Sequence, residues 1–303
     1  MADDLSFDLD FSAEPGRVVE VSPLVRRVVA GNAGPFTFRG TCTYIVGRGE
    51  VAVIDPGPED PAHTGHLLAA LDGESVGAIV VTHTHRDHSP GARALQDATG
   101  APIVGCGAHR RSRPLARGET DSMEGSGDLH HRPDQEMREG DVVEGPGWML
   151  EAIETPGHTA NHLSFRLGQE NALFPGDHVM GWSTTIVAPP DGSMSDFMSS
   201  LEKLRGRPEE VYWPGHGGAV RDPQRFVRAL IHHRRQREAS ILGRLYAGDR
   251  SSAEIVRAIY QGLSPALVPA AQLSVFAHLE DLVGQGKART DGSPQVDGEY
   301  QPA

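Results

Sequence analysis

Short apolar runs broken by glycine and proline set the pattern of the first two thirds of the chain. Residues 17–21, 42–46, 51–54 and 78–82 read as strands. They are too short for helices, rich in β-branched residues and bounded by turn formers. Ser89-Pro90 then opens a helix that runs to about residue 99, with serine as its cap, proline in the first turn and Gly100 closing it. Residues 102–104 form another buried-type strand. Residues 107–140 show neither a helical nor a strand period and read as a long surface loop, a length that tends to be functional or mobile. Further strands are expected at 148–154, 162–166, 172–175 and 210–213, with a helix over 194–204 between the last two. Strands mixed with helices predict a layered α/β domain over residues 17–220.

Beyond that point the period becomes helical. Residues 222–245, 252–261 and 269–284 read as three helices, the last with Leu273, Phe276, Leu279 and Leu282 recurring every three residues. Residues 290–300 are turn-rich and suit a small hairpin. Three helices and a hairpin predict a winged-helix-like module over 221–303. At the other end, four aspartates in the first ten residues mark residues 1–16 as an acidic, disordered leader.

Composition narrows the class. Hydrophobic residues make up 38%, and no window approaches the ~18 unbroken apolar residues of a membrane span, so no membrane partner is expected. The N-terminal residues lack the basic start and apolar stretch of a secretory signal. Two cysteines, Cys42 and Cys106, are no disulfide framework, and a cytoplasmic setting is expected. The net charge of −13 disfavours broad nonspecific binding to nucleic acid. It leaves open a nuclease whose phosphate contacts are bound metals and a local basic patch.

The chemistry concentrates at strand ends. Residues 82–91 read THTHRDHSPG and place His83, His85, Asp87 and His88 on the turn after a buried strand. Such a turn aims several imidazoles at one point. The same setting recurs in Thr155-Pro156-Gly157-His158, in Pro175-Gly176-Asp177 and in Pro214-Gly215-His216-Gly217: a strand, then Pro-Gly, then a candidate ligand. Five imidazoles and two carboxylates with no thiolate suit zinc, and also manganese or iron. Two ions about 3.5–4 Å apart hold one hydroxide between them and stabilise a leaving anion. No Gly-x-Ser-x-Gly elbow is present, so hydrolysis here needs no side-chain nucleophile.

The series His83-x-His85-x-Asp87-His88, His158, Asp177 and His216 resembles the metallo-β-lactamase superfamily. The resemblance implies an αββα sandwich with a dinuclear site. His83, His85 and His158 hold one metal, Asp87, His88 and His216 the other, and Asp177 bridges. Asp87 and Asp177 are thereby the candidate catalytic carboxylates. Asp55, in Val53-Ile54-Asp55-Pro56-Gly57, matches the motif whose acid supports the ligands from behind, and His178 is a second candidate for such support. A bridging aspartate resembles the thioesterase, lactonase and ribonuclease branches more than the true β-lactamases.

Residues 31–47, 183–204 and 232–242 resemble the β-lactamase-like protein 2 branch and its bacterial relatives, although Cys42 stands where that pattern has asparagine. Animal members of the branch are single-strand-preferring endoribonucleases. The resemblance therefore implies a dinuclear hydrolase acting on single-stranded RNA. The alternatives are a glyoxalase II-like enzyme for a small thioester or lactone, and a noncatalytic nucleic-acid-binding protein.

Other basic residues add expectations. The helix after His216 carries Arg225, Arg228, Arg234, Arg235, Arg237 and Arg244. His233, Arg234 and Arg237 are candidates to hold an anionic substrate group. The third C-terminal helix carries Glu280 and Asp281, which argues against reading a DNA groove. Covering the active site or pairing two copies of the chain suits it better. His130 and His131 read as solvated loop residues, His162 as a packing or hydrogen-bonding residue, and His63, His66 and His278 as incidental.

Overall fold

The structure is a computed structural model that describes residues 5–121 and 123–303. A first sheet takes seven strands in sequence order. They are β1 (Val19–Glu20), β2 (Val25–Val29), β3 (Cys42–Arg48), β4 (Glu50–Ile54), β5 (Ser75–Val81), β6 (Ile103–Gly105) and β7 (Gln135–Glu136). Neighbours from β1 to β4 are antiparallel, while β4 to β7 run parallel. Parallel neighbours need crossovers, supplied by α1 (Pro61–Ala70) from β4 to β5, by α2 (Gly91–Thr99) from β5 to β6 and by the long loop from β6 to β7. The second sheet holds β8 (Val142–Gly145), β9 (Trp148–Glu154), β10 (Leu163–Leu167), β11 (Ala172–Phe174) and β12 (Val211–Tyr212). Only its β11–β12 step is parallel, and α3 (Met194–Arg205) crosses it.

Period-2 alternation places the layers. Along β9, Trp148, Leu150 and Ala152 enter the core between the sheets, with Ile45, Val53 and Phe165. Ile153 points the other way, into a second core with Phe197, Leu201, Val227 and Leu230. Full burial of one such phenylalanine contributes roughly 1.5–3 kcal/mol. The result is the expected helix–sheet–sheet–helix sandwich.

The C-terminal module consists of α4 (Pro223–Tyr246), α5 (Ser252–Ile259), α6 (Val268–Gly284) and the antiparallel pair β13 (Ala288–Thr290) and β14 (Tyr300–Pro302). Ser251 and Glu254 form a capping box that starts α5. α4 belongs to both units: Val227, Leu230 and Ile231 lie in the sandwich core, Ile241 and Leu245 in the C-terminal one. The border expected at 220/221 therefore separates no two cores. The stretch Pro265–Gly284 is long and apolar enough to cross a membrane by length and composition. In the fold its Val275, Phe276, Leu279 and Leu282 are buried in the C-terminal core.

Several expectations need correction. Residues 5–16 have no helix or strand but are not frayed. Asp8 N–H donates to Gly181 O, Phe7 packs edge-on against Phe226, and Phe11 is buried beneath Arg27. Residues 1–4 of the leader lie outside the described residues. Ser89 does not cap α2. Its hydroxyl donates to Asp128 at 2.8 Å, and Pro90 holds the cap position without a side-chain bond. The final hairpin pairs 288–290 with 300–302, so most of 290–300 is its loop. His131 is buried, 3.2 Å from Cys106 O, rather than solvated. Strands β2, β7 and β8 and helix α1 have no counterpart among the expected elements, and β7 falls inside the stretch 107–140 expected to be loop throughout. The long loop is anchored at Arg113, which bonds Glu119 and, on α6, Glu280.

Candidate metal centre

The seven candidate ligands lie just beyond the ends of β5, β9, β11 and β12, and the structure brings all seven together. The Pro-Gly steps have a steric cause. A Cβ on Gly215 would stand 2.5 Å from Asp177 Oδ1 and 2.7 Å from His88 Cε1. Gly157 has φ of +131°, and its Cβ would meet the Phe197 backbone at 2.3 Å. Only glycine fits both positions.

Each imidazole is held by one nitrogen from outside the cluster. His83 Nδ1 meets Thr82 Oγ1 at 2.9 Å, and His85 Nε2 meets Asp191 Oδ2 at 3.1 Å. His88 Nδ1 meets Asp55 Oδ2 at 2.9 Å. His158 Nδ1 meets Ile186 O at 2.8 Å, and His216 Nδ1 meets Gly40 O at 3.3 Å. These acceptors make the anchored nitrogens donors and leave the opposite lone pairs for a cation.

Those opposite nitrogens converge. His85 Nδ1 and His158 Nε2 are 2.9 Å apart, His88 Nε2 and His216 Nε2 3.3 Å. His83 Nε2 is buried without any hydrogen-bond partner. Two nitrogens sharing one tetrahedral ion at ~2.0 Å lie about 3.3 Å apart, so the donors fit divalent ions.

They divide into two groups, His83/His85/His158 and Asp87/His88/His216, each with its ligand atoms within 4.8 Å of one another. Asp177 Oδ2 faces both, 3.8 Å from His158 Nε2 and 3.2 Å from His216 Nε2. A third grouping, Asp55/His83/His88, meets the same distance criterion. The Asp55 oxygens, however, already accept from Thr82 N at 2.8 Å, Thr82 Oγ1 at 2.7 Å and His88 Nδ1 at 2.9 Å. Asp55 thus orients ligands and is not one. Its φ of +48° is uncommon outside glycine, and those three bonds hold it there.

The two groups differ in charge. Burial, then the facing His88 and His85, hold His83 well below the usual imidazole range. Burial and His85 bring His158 down to about 4. Burial also disfavours charge on His216, but Asp177 and Asp87 outweigh it and raise this residue to about 9. The same balance, with Asp87, Asp177 and Asp55, raises His88 well above its ordinary value. Burial would raise Asp177, yet His216 and His88 hold its carboxyl well below the carboxylate range.

The sequence reading missed some supporting groups. Asp191 is buried and fixes His85, but in Pro189-Pro190-Asp191-Gly192 it has only the look of a turn. Thr82 relays between Asp55 and His83, and Thr185 Oγ1 donates to Asp177 O at 2.7 Å. His162 Nε2 accepts from Asp177 N–H at 3.2 Å, a hydrogen-bonding role. By contrast, both ring nitrogens of His178 lack hydrogen-bond partners, and its ring packs on Phe197 at 4.4 Å. No bond of the His178 ring supports a ligand, which corrects that expectation. Cys42 is buried, and burial raises its thiol to about 11, so it is inert.

His233, Arg234 and Arg237 are not brought to the histidine cluster. Arg234 is buried, bonds Thr185 O and lies over the Phe197 ring at 5.0 Å. Arg237 stacks on Tyr260 at 4.2 Å. Among the described residues, the contacts of Arg234 and Arg237 are with Thr185, Phe197 and Tyr260 and not with a candidate ligand.

A family model described as the metallo-beta-lactamase superfamily matches residues 36–216, and a beta-lactamase associated winged helix domain matches residues 251–298. A beta-lactamase-like protein 2 homolog of Drosophila melanogaster is 30% identical over 94% of this chain and 97% of its own length. An atrochrysone carboxyl ACP thioesterase of Aspergillus fumigatus is 32% identical over 73% of this chain and 65% of its own length. Among solved structures, a metallo-beta-lactamase family protein of Thermus thermophilus superposes with a TM-score of 0.75 at 23% identity, covering 94% of this chain and all of that one.

Proposed function

The chain belongs to the metallo-β-lactamase superfamily, and from that premise we propose that it is a dinuclear metal-dependent hydrolase of a thioester. The observation that carries the dinuclear reading is the convergence of five unanchored imidazole nitrogens into two neighbouring groups, with the Asp177 carboxylate between them. His83, His85 and His158 would hold one ion, and Asp87, His88 and His216 the other, with Asp177 facing both. Ions bound there supply Lewis acidity and a nucleophilic hydroxide at neutral pH. The chain's own groups do the positioning. Asp55 and Thr82 orient His88 and His83, Asp191 orients His85, and Thr185 and His162 fix the backbone of Asp177. Water adds to the acyl carbon, and the thiol leaves with a proton.

The thioester is favoured by relatives named as carboxyl ACP thioesterases and by the net charge of −13, which repels polyanions. RNA phosphodiester cleavage is the second reading, favoured by the likeness of residues 183–204 and 232–242 to the β-lactamase-like protein 2 branch. The test measures bound metal, then turnover of S-acyl glutathione and of single-stranded RNA, for wild type and Asp177→Ala. About two ions per chain and thioester turnover lost in the variant are expected. One ion or none sinks the dinuclear reading. RNA cleavage without thioester turnover shifts the substrate to the second reading.

A further inference from the structure

Residues 185 and 186 connect the metal centre to a separate group of basic side chains. Ile186 O accepts a hydrogen bond from His158 Nδ1, and Thr185 O accepts one from Arg234. His233, Arg234 and Arg237 share one face of α4 by their spacing. His278 of α6 belongs to the same cluster: the charges acting on it are Arg234, Arg237 and His233. Tyr260 closes it, stacked on Arg237 at 4.2 Å.

Two deficits stand out there. Arg234 is 4% exposed and His278 2%, yet Arg234 Nε, His233 Nδ1 and both nitrogens of His278 are buried without hydrogen-bond partners. The ionisable side chains around His233 are Arg234, Arg237 and His232, and those around Arg234 are Tyr260 and Arg237. No carboxylate is among them. Burial lowers the Arg234 guanidinium only to about 10, so it is cationic at neutral pH. A buried cation without a counter-ion is costly, and orphaned buried donors are rare in folded proteins. An oxyanion cures both. The unpartnered nitrogens come from three side chains, His233, Arg234 and His278, on two helices, with Arg237 beside them, and the tetrahedrally spread oxygens of a phosphate can meet them from several directions at once.

We propose that the cluster of His233, Arg234, Arg237 and His278 binds a phosphate group of the substrate, away from the bond that is cut. Its part in substrate binding rests on the metal centre being the reacting site; the phosphate binding itself does not. His233 and Arg237, partly exposed, form the rim, and Arg234 and His278 the floor.

The probe is inorganic phosphate, titrated calorimetrically into the metal-loaded protein. Wild type is expected to show two classes of site, the metal centre and the cluster. Asp177→Asn should remove the first and keep the second. The rim variant His233→Gln with Arg237→Gln should weaken the second about tenfold or more while metal content stays at the wild-type value. His278→Phe, which fills the same space without donors, should do the same from the floor. Two results overturn the proposal: a second class unmoved by both variants, or a single wild-type class that Asp177→Asn abolishes. A cluster class that persists in protein holding no metal supports it and counts against the dinuclear function alone.

Discussion

The two halves of the candidate metal centre share a backbone plan and differ in electrostatics. Both are built from imidazoles at strand ends, buried, each anchored by one nitrogen. In the half made of His83, His85 and His158, burial and neighbouring imidazoles keep His83 and His158 neutral. In the half made of Asp87, His88 and His216, carboxylates outweigh burial and draw protons onto both histidines. The first half is therefore ready for a cation at neutral pH, while the second exchanges protons for one. Asp177 joins them and serves as the counter-charge to each.

Removing that joint is the largest expected effect. Asp177→Ala should lower turnover by roughly a thousandfold or more, the scale of losing a group at the reacting centre, with metal content falling towards one ion. Turnover within about tenfold of wild type would mean that the halves work independently. The next effect separates the halves by pH. An ion entering at His216 displaces a proton below about pH 9, so its affinity should climb about tenfold per pH unit and per proton released. Between pH 6 and 8 that is about a hundredfold at least. His158 sits at about 4, so the three-imidazole half should bind almost equally at both pH values. Metal titrations at pH 6, 7 and 8 check this, and two parallel pH slopes would erase the distinction between the halves.

The same contrast explains what the sequence could say. The cluster of candidate ligands was legible because each member follows a strand within a short local motif, and the glycines before them answer to close approach at Asp177 and Phe197. The three C-terminal helices were legible from their periodicity. Strand β2 was not, since Arg26 and Arg27 interrupt its apolar run. Only the fold shows Arg26 paired with Glu74 at 2.5 Å and Arg27 lying over Phe11. Helix α1 buries only His63 and Leu67, too little to print a helical stripe. Asp191 reaches His85 across 106 residues, a pairing that no local pattern encodes. His233, Arg234 and Arg237 illustrate the reverse: their position soon after His216 marked them as candidates to hold an anionic substrate group, and only the fold shows that α4 carries Arg234 to Thr185 O and Arg237 onto Tyr260.

The smallest effects come from the carboxylates behind the ligands, and they sharpen the comparison because each serves the halves unequally. Asp55 holds His88 directly and His83 through Thr82, so Asp55→Asn disturbs both halves. Loss of such outer support typically costs 10–100-fold in metal affinity or activity, and Asp55→Asn should fall near about a hundredfold. Asp191 holds His85 alone, with Oδ1 4.0 Å from His109 Nε2. Asp191→Asn keeps the shape and can still accept a hydrogen bond, but it removes the charge that favours a cation in the three-imidazole half. Its cost should be about tenfold and confined to the ion bound there, with the pH slope of the other half unchanged. Competitive titration with a chromogenic chelator reads the two affinities separately. If Asp191→Asn instead weakened the Asp87/His88/His216 half, the ions would be coupled through Asp177 more strongly than through their own anchors, and the centre would have to be treated as one site.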